Sequence, residues 1–277
     1  MAVQPEWLAQ VPTDRSLPAG RLAVVGCGTS YHAAQTSGAG YDSLEFVLSP
    51  PEADVLVLMS HEGTTPLTIE AAEAFAGPKW LVTAKAESRL AALCDEIVIA
   101  TPEVEESYCH TASYTCAVAA LGALRGDDVS WLPGAVADEF AAERLPVSEH
   151  ERWVFAGAGR DWPTAQEAAL KLREGVYLAA EAYQLEELLH GHLAAVDDGV
   201  RCFVLEGEGR AAVRAAETVA ALETLGCDVT LVPTRHPVVD IVRFQLLTLD
   251  LAESRGTDPD LIRWDDPRWK AARDSYS

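Results

Sequence analysis

Two carboxylates and a lysine recur along one segment at a spacing that suits acid–base chemistry. Glu167, Lys171 and Glu174 occupy positions i, i+4 and i+7 of EAALKLRE, so on a helix they share one face. Apolar residues stand between them. On a solvated surface this pattern is a ladder of ion pairs worth a few tenths of a kcal/mol per pair. In a cleft it would supply a carboxylate base beside a cation, which suits proton transfer.

A histidine follows further along the same half of the chain. His190 comes after the adjacent carboxylates Glu186 and Glu187 in LEELLHGHL. Histidine titrates near neutral pH and can therefore exchange protons, although a lone histidine is more often structural. A carboxylate, a lysine and a histidine near the end of one strand would form a proton-transfer set.

Three segments in the first half carry hydroxyls at the start of a predicted helix. They are GCGTS (26–30), SHEGTT (60–65) and SYCHTASYT (107–115). Glycines let a backbone approach a ligand, and the amides at a helix N-terminus favour an anion. Tight turns and ordinary N-caps give the same letters, so each segment alone is a weak signal. The dinucleotide-binding fingerprint GxGxxG is excluded, because Tyr31 stands where its last glycine would be.

The SHEGTT segment also carries a residue that does not suit an anion. Glu62 places a carboxylate among the hydroxyls. A carboxylate about 4 Å from a phosphate would cost several kcal/mol at an effective dielectric constant of about 20. Nothing in the loop offsets this charge except His61, and only if the imidazole is protonated.

The elements that must position these residues follow an α/β pattern. In the first half, apolar runs predict strands in LAVVGCG (22–28), VLVLMS (55–60), KWLVTA (79–84) and EIVIA (96–100), with a further short strand in EFVL (45–48). Helical patterns separate them. Continuously apolar strands that alternate with helices predict a parallel sheet covered on both faces.

The pattern restarts in the second half of the chain. WVFAGAG (153–159), RCFVLEG (201–207) and DVTLVP (228–233) repeat the form of the earlier strands. The two halves are therefore predicted to be two copies of one α/β unit. Their boundary is predicted in RGDDVSWLPGAVADEF, where charge, glycine and proline interrupt the pattern.

Composition argues against several classes of protein. The formal net charge is −22, which repels nucleic acid and anionic lipid. No apolar run approaches the length needed to span a bilayer, and the N-terminus lacks the features of a signal peptide. The six cysteines form no CxxC pair, so they are predicted to be free thiols in a reducing cytoplasm. No metal site and no cofactor are predicted.

Taken together, these segments resemble the double SIS (sugar isomerase) domain proteins, and most closely the isomerase half of glucosamine-6-phosphate synthases. The matching segments are GCGTSYHA (26–33), SHEGTT, HTASYT (110–115), residues 167–174, residues 180–198 and DDPRWKAA (265–272). Each is a weak signal alone. Their order and number make the resemblance specific, and it covers nearly the whole chain.

The resemblance implies a fold and an assembly. The family fold is a five-stranded parallel sheet sandwiched by helices and used twice. It would place the first SIS domain at residues 1–131, the second at 132–264, and a C-terminal tail at 265–277 that docks near the active site. In the family a histidine reaches the site of a neighbouring subunit, so a homodimer is expected.

The resemblance also implies roles for individual residues. Glu174 falls where the family's base moves a proton between C1 and C2 of the sugar, Lys171 lies beside that base, and His190 falls where a histidine assists ring opening. The residues expected to bind the substrate are Gly28, Thr29, Ser30, Ser60, His61, Glu62, Thr65, Thr111 and Lys270. No metal or cofactor is implied.

The chain departs from the family pattern at several positions. In SHEGTT, His61 replaces a glutamine and Glu62 replaces a phosphate-binding serine, and Ala112 stands where a lysine is common. Near the C-terminus, Ala272 stands where the family has a lysine, with Lys270 close by. The chain begins about twenty residues before its first predicted strand. We therefore expect no glutaminase domain and no supply of ammonia from glutamine.

The expected activity is that of a sugar or sugar-phosphate isomerase, or of an aminosugar-phosphate deaminase–isomerase, in the cytoplasm. The residues of isomerisation are retained while those that hold phosphate are altered, which indicates changed substrate recognition rather than lost catalysis. The alternative is a non-catalytic sugar-binding or regulatory protein, as other SIS domains serve as sensors. In a variant of the first hypothesis, Glu62 accepts the hydroxyls or the amine of an unphosphorylated or cationic sugar.

Overall fold

The computed structural model describes residues 1–276. Contacts among them divide the chain into two units. Unit 1 comprises Met1–Glu139 and the C-terminal segment that begins at Arg263, and unit 2 comprises Phe140–Ile262. The division falls later in the chain than the predicted boundary after residue 131.

Unit 1 is built around a parallel sheet. Its strands are β1 (Leu22–Gly26), β2 (Gly40–Asp42), β3 (Val55–Met59), β4 (Lys79–Thr83) and β5 (Glu96–Ile99). Within the described residues these five strands lie in the order β2-β1-β3-β4-β5, and every neighbouring pair is parallel. The strands β1, β3 and β4 are largely buried and apolar, as expected for strands with helices on both faces. This confirms the predicted α/β class.

The helices of the first half connect and cover these strands. They are α1 (Gln4–Leu8), α2 (Thr29–Gln35), α3 (Ser43–Leu48), α4 (Pro66–Ala74), α5 (Ala112–Leu124) and α6 (Leu132–Ala141). Nearly the whole of α5 is buried, including Ser113, Tyr114 and Thr115 near its start. The polar groups at this end of α5 must therefore find partners inside the protein.

The segment EFVL, predicted as a short strand, is the end of helix α3. Asp42 caps this helix, because its carboxylate accepts a hydrogen bond from the backbone N–H of Leu44 at 2.9 Å. The strand that pairs with β1 lies just before the cap, in β2. The apolar composition of EFVL suits a strand or a helix, and the cap at Asp42 favours the helix.

Unit 2 contains a second parallel sheet. Its strands are β6 (Arg152–Gly157), β7 (Ala179–Gln184), β8 (Val200–Leu205) and β9 (Asp228–Val232), and its helices are α7 (Trp162–Val176), α8 (Leu185–Leu189), α9 (Arg210–Thr224) and α10 (Pro237–Arg255). The order of these strands in the described part of the unit is β7-β6-β8-β9. The core includes the stacked rings of Phe155 and Phe203, with Phe244 of α10 packed edge-on against both.

The expectation of five strands in each unit is wrong for unit 2, where the described residues form four. The reason lies in the length of the connection after the last strand. In unit 1, residues 84–111 separate β4 from α5, which leaves room for the crossover that a parallel strand needs and for β5 itself. In unit 2, only residues 233–236 separate β9 from α10.

The C-terminal segment of the chain packs within unit 1. It contains the helix α11 (Pro267–Asp274). The ring of Trp264, just before this helix, lies 5.3 Å from that of Tyr108, and the guanidinium of Arg273 lies over Trp264 at 4.4 Å. The contacts of Trp264 thus attach the C-terminal segment to the rest of unit 1.

All six cysteines are free thiols, which confirms the prediction from their spacing. No helix within residues 1–276 combines the length and the apolar character needed to cross a membrane.

Candidate functional site

A pocket lies in unit 1 at the carboxyl edge of its sheet. The order of the strands reverses between β1 and β3, and in open parallel sheets such a reversal leaves a crevice where ligands bind. The segments GCGTS and SHEGTT follow these two strands directly. Polar side chains line the pocket, namely Thr29, Ser30, Ser60, His61, Thr83, Thr101, His110 and Ser113. No lysine or arginine is among the described residues that line it.

Four of the predicted substrate-binding residues line this pocket: Thr29, Ser30, Ser60 and His61. The others occupy different positions. Gly28 precedes α2 with a φ of 54°, a left-handed conformation that suits glycine. The hydroxyl oxygens of Thr65 and Ser60 lie 3.4 Å apart, Lys270 is exposed on α11, and Glu62 and Thr111 have partners within the protein.

His61 is held in one orientation by its neighbours. Its ring atom Nε2 accepts a hydrogen bond from the backbone N–H of Glu105 at 3.0 Å, so the proton of the neutral ring sits on Nδ1. Burial, followed by the neighbouring His110, lowers the pKa of His61 to about 4. His61 is therefore neutral at pH 7. The condition under which His61 would offset the charge of Glu62, a protonated imidazole, is therefore not met at this pH.

A lysine that the sequence did not indicate offsets that charge instead. The Nζ atom of Lys85 lies 2.5 Å from a carboxylate oxygen of Glu62. This hydrogen bond lowers the pKa of Glu62, so the carboxylate is ionised at neutral pH. The two residues are distant in sequence but follow β3 and β4, which are neighbours in the sheet.

The start of α5 is capped by Glu105, a second residue that sequence reasoning missed. Its carboxylate accepts hydrogen bonds from the backbone N–H groups of Thr111, Ala112 and Ser113, at 2.8–3.1 Å. The hydroxyls of Thr111 and Ser113 donate to the same carboxylate at 2.7 and 2.6 Å. Thr111 is expected to bind the substrate, but both its N–H and its hydroxyl donate hydrogen bonds to the carboxylate of Glu105.

The environment of Glu105 keeps it ionised. Its side chain is only 7% exposed, and burial alone would raise its pKa. Hydrogen bonds from His110, Ser113 and Thr111 outweigh burial and hold the pKa well below its usual range. The amides at a helix N-terminus favour such an anion. A carboxylate of the protein thus occupies the position at α5 that suits a bound anion.

We expect Glu105→Gln to lower the free energy of unfolding by about 2–3 kcal/mol at pH 7, because a neutral amide cannot accept all of these hydrogen bonds. The folded-state pKa lies below the unfolded value of about 4.3. The carboxylate therefore stabilises the fold above that pH, and the contribution is lost as the pH falls below it. Urea denaturation between pH 3 and 7 should show that the free energy of unfolding falls less with decreasing pH in Glu105→Gln than in the wild type. The control is Glu106→Gln, an exposed neighbour, and equal behaviour of the two variants would contradict the assignment.

Unit 2 buries the carboxylate–lysine cluster of α7. The Nζ atom of Lys171 lies 3.2 Å from Glu167 and 2.7 Å from Glu174. The side chains of Glu167 and Lys171 are 0% and 1% exposed, whereas that of Glu174 is 23% exposed. The alternative of a solvated surface ladder is therefore excluded. Of the two carboxylates, Glu174 is the one that a ligand can reach.

His190 lies apart from this cluster among the described residues of unit 2. It follows α8, its side chain is 68% exposed, and its Nε2 atom lies 2.9 Å from Glu186. Glu186 in turn accepts a hydrogen bond from Arg214 at 2.7 Å. The structure thus brings Lys171 and Glu174 together, and it places His190 on a polar surface instead.

Two further buried carboxylates follow strands of the second sheet. The carboxylate of Asp161, before α7, accepts a hydrogen bond from the Thr234 hydroxyl at 3.3 Å. Asp240, in the first turn of α10, accepts from the backbone N–H of Arg235 at 2.9 Å. Both side chains are buried. Burial raises the pKa of both, and that of Asp240 reaches about 7.

The raised pKa of Asp240 predicts a loss of stability with rising pH. The unfolded carboxyl ionises near pH 4 while the folded one stays protonated up to about pH 7, so between these values the unfolded state is favoured progressively. We expect Asp240→Asn to be more stable than the wild type at pH 8, on the order of 2 kcal/mol, and similar at pH 4. Thermal unfolding at both values, with the exposed Asp198→Asn as control, checks this. An equal difference at both pH values would contradict it.

Comparison with known proteins extends these observations. The family model for the SIS domain matches residues 147–257, which include α7 with its buried cluster. Over 88% of its length the chain is also 26% identical to a glutamine–fructose-6-phosphate aminotransferase (isomerizing) of Gloeobacter violaceus, of which it spans 50%. The chain spans about half the length of the curated relatives it matches, and it is homologous to their isomerase domain.

Solved structures show the same fold. A glucosamine-6-phosphate deaminase from Thermotoga maritima matches with a TM-score of 0.76 and 25% identity, over 87% of each chain. A tagatose-6-phosphate ketose/aldose isomerase from Escherichia coli matches with a TM-score of 0.76 and 17% identity, over 94% of this chain and 93% of that one. The likeness to the second structure concerns the fold alone.

Proposed function

We propose that this protein is a sugar-phosphate aldose–ketose isomerase or an aminosugar-phosphate deaminase–isomerase, with Glu174 as the base that moves a proton between C1 and C2. The observation that carries this proposal is the buried cluster of Glu167, Lys171 and Glu174 in the SIS domain. It holds an ammonium group 2.7 Å from a carboxylate that is partly open to solvent.

The chemistry follows from this arrangement. Glu174 removes a proton from C1 of the open-chain ketose, and the electron pair forms the C1–C2 double bond while the carbonyl oxygen takes the negative charge. Transfer of the hydroxyl proton from O1 to O2 moves the negative charge to O1. Return of the proton from Glu174 to C2 then gives the aldose, with its carbonyl at C1. Proton transfer by a positioned carboxylate contributes roughly 10²- to 10⁴-fold to a rate. Lys171 supplies a buried positive charge that favours the enediolate, and such stabilisation is strong where water is excluded.

The relatives support a phosphorylated sugar as substrate. The names of the aminotransferase and the deaminase each contain a sugar 6-phosphate. In this chain the hydroxyl-lined pocket of unit 1 offers Ser30 and Ser60 as hydrogen-bond donors. We assign binding of the sugar phosphate to that pocket.

Further parts of the proposal rest on the family resemblance. By this resemblance the chain contains two SIS domains in tandem, at residues 1–131 and 132–264, and the tail at 265–277 with Lys270 contributes to the active site. His190 assists ring opening in a neighbouring subunit of a cytoplasmic homodimer, a role that its 68% exposed side chain supports.

Turnover across a substrate panel tests the function. The panel contains fructose 6-phosphate, glucosamine 6-phosphate and tagatose 6-phosphate, each beside its unphosphorylated sugar, with aldose, ketose and ammonia measured. We expect conversion of at least one phosphorylated member. If none is converted, the proposed activity is wrong.

A non-catalytic sugar-phosphate-binding protein is the second candidate. The observation that favours it is the replacement of phosphate-binding residues in SHEGTT by His61 and Glu62. This candidate predicts that the same ligands raise the melting temperature of the protein without being converted. Conversion of any of them excludes it.

A further inference from the structure

The ion pair of Glu62 and Lys85 stands beside the pocket of unit 1. Glu62 follows His61, which lines the pocket, and Lys85 lies two residues after Thr83, which lines it too. The pair is close, at 2.5 Å, and both side chains are partly exposed, at 48% for Glu62 and 40% for Lys85. The pair is therefore accessible to solvent, and each member lies within two residues of one that lines the pocket.

Backbone contacts hold these two loops in register. The carbonyl oxygen of His61 accepts hydrogen bonds from the N–H of Ala84 at 2.9 Å and from the Thr83 hydroxyl at 3.0 Å. Two residues on, the carbonyl oxygen of Gly63 accepts from the N–H of Leu90 at 3.2 Å. Lys85 is thus carried on a loop already fixed to the one that carries Glu62, so the pair forms without the ordering of either loop.

The charges around the pocket show why the pairing of Glu62 matters for the binding of an anion. The polar residues that line the pocket are hydroxyls and histidines, and His61 is neutral. The described lining contains no lysine or arginine, and the chain as a whole carries a charge of −22. The ionised carboxylate of Glu105 is bonded to the lining residue Ser113, so an unpaired carboxylate in SHEGTT would add to a field that already repels an anion. Paired with Lys85, the loop is neutral.

We infer that Lys85 is a specificity-determining residue: by neutralising Glu62, it allows the SHEGTT loop to accept the phosphate group of a sugar phosphate. This inference rests on the proposed function. It names the residue whose charge cancels that of Glu62, which would otherwise repel a phosphorylated ligand. An amine at Glu62 would have to displace the ammonium of Lys85 from a 2.5 Å contact. A neutral sugar would gain little, because the carboxylate already has a strong donor.

A charge cycle on the pair tests the inference. The dissociation constant of fructose 6-phosphate is measured by calorimetry for the wild type, Lys85→Gln, Glu62→Gln and the double variant. We expect Lys85→Gln to weaken binding at least about 10-fold, because it leaves Glu62 unpaired. Glu62→Gln should bind as tightly as the wild type or more tightly. The double variant should return to within about 3-fold of the wild type.

A matched control separates this effect from general loss of surface charge. Arg89 pairs with Glu73 in the same unit at 3.2 Å, and both side chains are exposed. Arg89→Gln removes the same amount of charge from a pair that does not adjoin the pocket-lining residues, and we expect it to change the dissociation constant less than about 2-fold.

Three outcomes would overturn the inference. If Lys85→Gln binds within about 3-fold of the wild type, the pair does not govern phosphate binding. If the double variant is as weak as Lys85→Gln, the lysine acts as a direct ligand and not through Glu62. If the wild type binds neither fructose 6-phosphate nor glucosamine 6-phosphate, the proposed function fails as well. That last failure is visible in the wild-type titrations alone and is thereby distinguished from the other two.

Discussion

Replacement of Lys171 by methionine is expected to lower the free energy of unfolding by about 3–5 kcal/mol. The substitution keeps the volume of the side chain but leaves the carboxylates of Glu167 and Glu174 without their counterion. Glu167 is fully buried, and removing one partner of a buried ion pair costs about this much because an uncompensated charge remains. Urea denaturation at pH 7 measures the change.

The control for Lys171→Met is Lys270→Met, an exposed lysine on α11. We expect it to change stability by less than about 0.5 kcal/mol. The double variant Glu167→Gln/Lys171→Met should recover part of the loss, because it removes one of the two stranded charges. A loss below about 1 kcal/mol in Lys171→Met would show that the cluster behaves as a solvated ladder, and the buried cluster would then not carry the proposed function.

Replacement of Glu174 by glutamine is expected to reduce kcat by about 10²- to 10⁴-fold on whichever sugar phosphate is converted. The amide keeps the size of the side chain but cannot accept the proton. KM should change little, because binding is assigned to unit 1. Steady-state kinetics measure both constants.

Glu187→Gln is the matched control for Glu174→Gln, since Glu187 is an exposed glutamate of the same unit. It should retain wild-type kcat. A Glu174→Gln enzyme with full activity would assign the base to another residue. A variant with raised KM and normal kcat would make Glu174 a binding residue instead.

The strands of both sheets were largely predictable because each is a short apolar run bounded by polar or glycine-rich segments. The exceptions are the edge strands β2 and β7, whose sequences GYD and AAEAYQ give no apolar run. The number of strands in unit 2 was wrong because the family pattern supplied it. The connection between β9 and α10 has only four residues, which is too short for a fifth parallel strand.

The residues of the candidate site were predictable where they directly follow a recognisable strand. They were not predictable where they depend on contacts between side chains of different loops. Ser30 and Ser60 stand directly after apolar strands and were found in the pocket. The pairing of Glu62 with Lys85 arises only because β3 and β4 are neighbours, which no local pattern reveals. Glu105 left a weak local signal, since it precedes the hydroxyls that open α5.

Burial was the hardest property to foresee. The spacing of Glu167, Lys171 and Glu174 placed them on one face, but spacing alone does not distinguish a solvated face from a buried one. The apolar neighbours of these residues were the available signal. The same limit applies to His61, whose neutral state follows from its burial and from the N–H of Glu105.

Exchange of solvent deuterium into fructose 6-phosphate tests the central claim most directly. While the enediolate persists, the abstracted proton sits on the Glu174 carboxyl, where it can exchange with solvent. NMR in deuterated water should therefore show deuterium at C1 of the ketose or at C2 of the aldose with the wild type. Glu174→Gln should show at least about 100-fold slower incorporation, with Glu187→Gln as fast as the wild type. Equal incorporation by Glu174→Gln and the wild type would contradict the account.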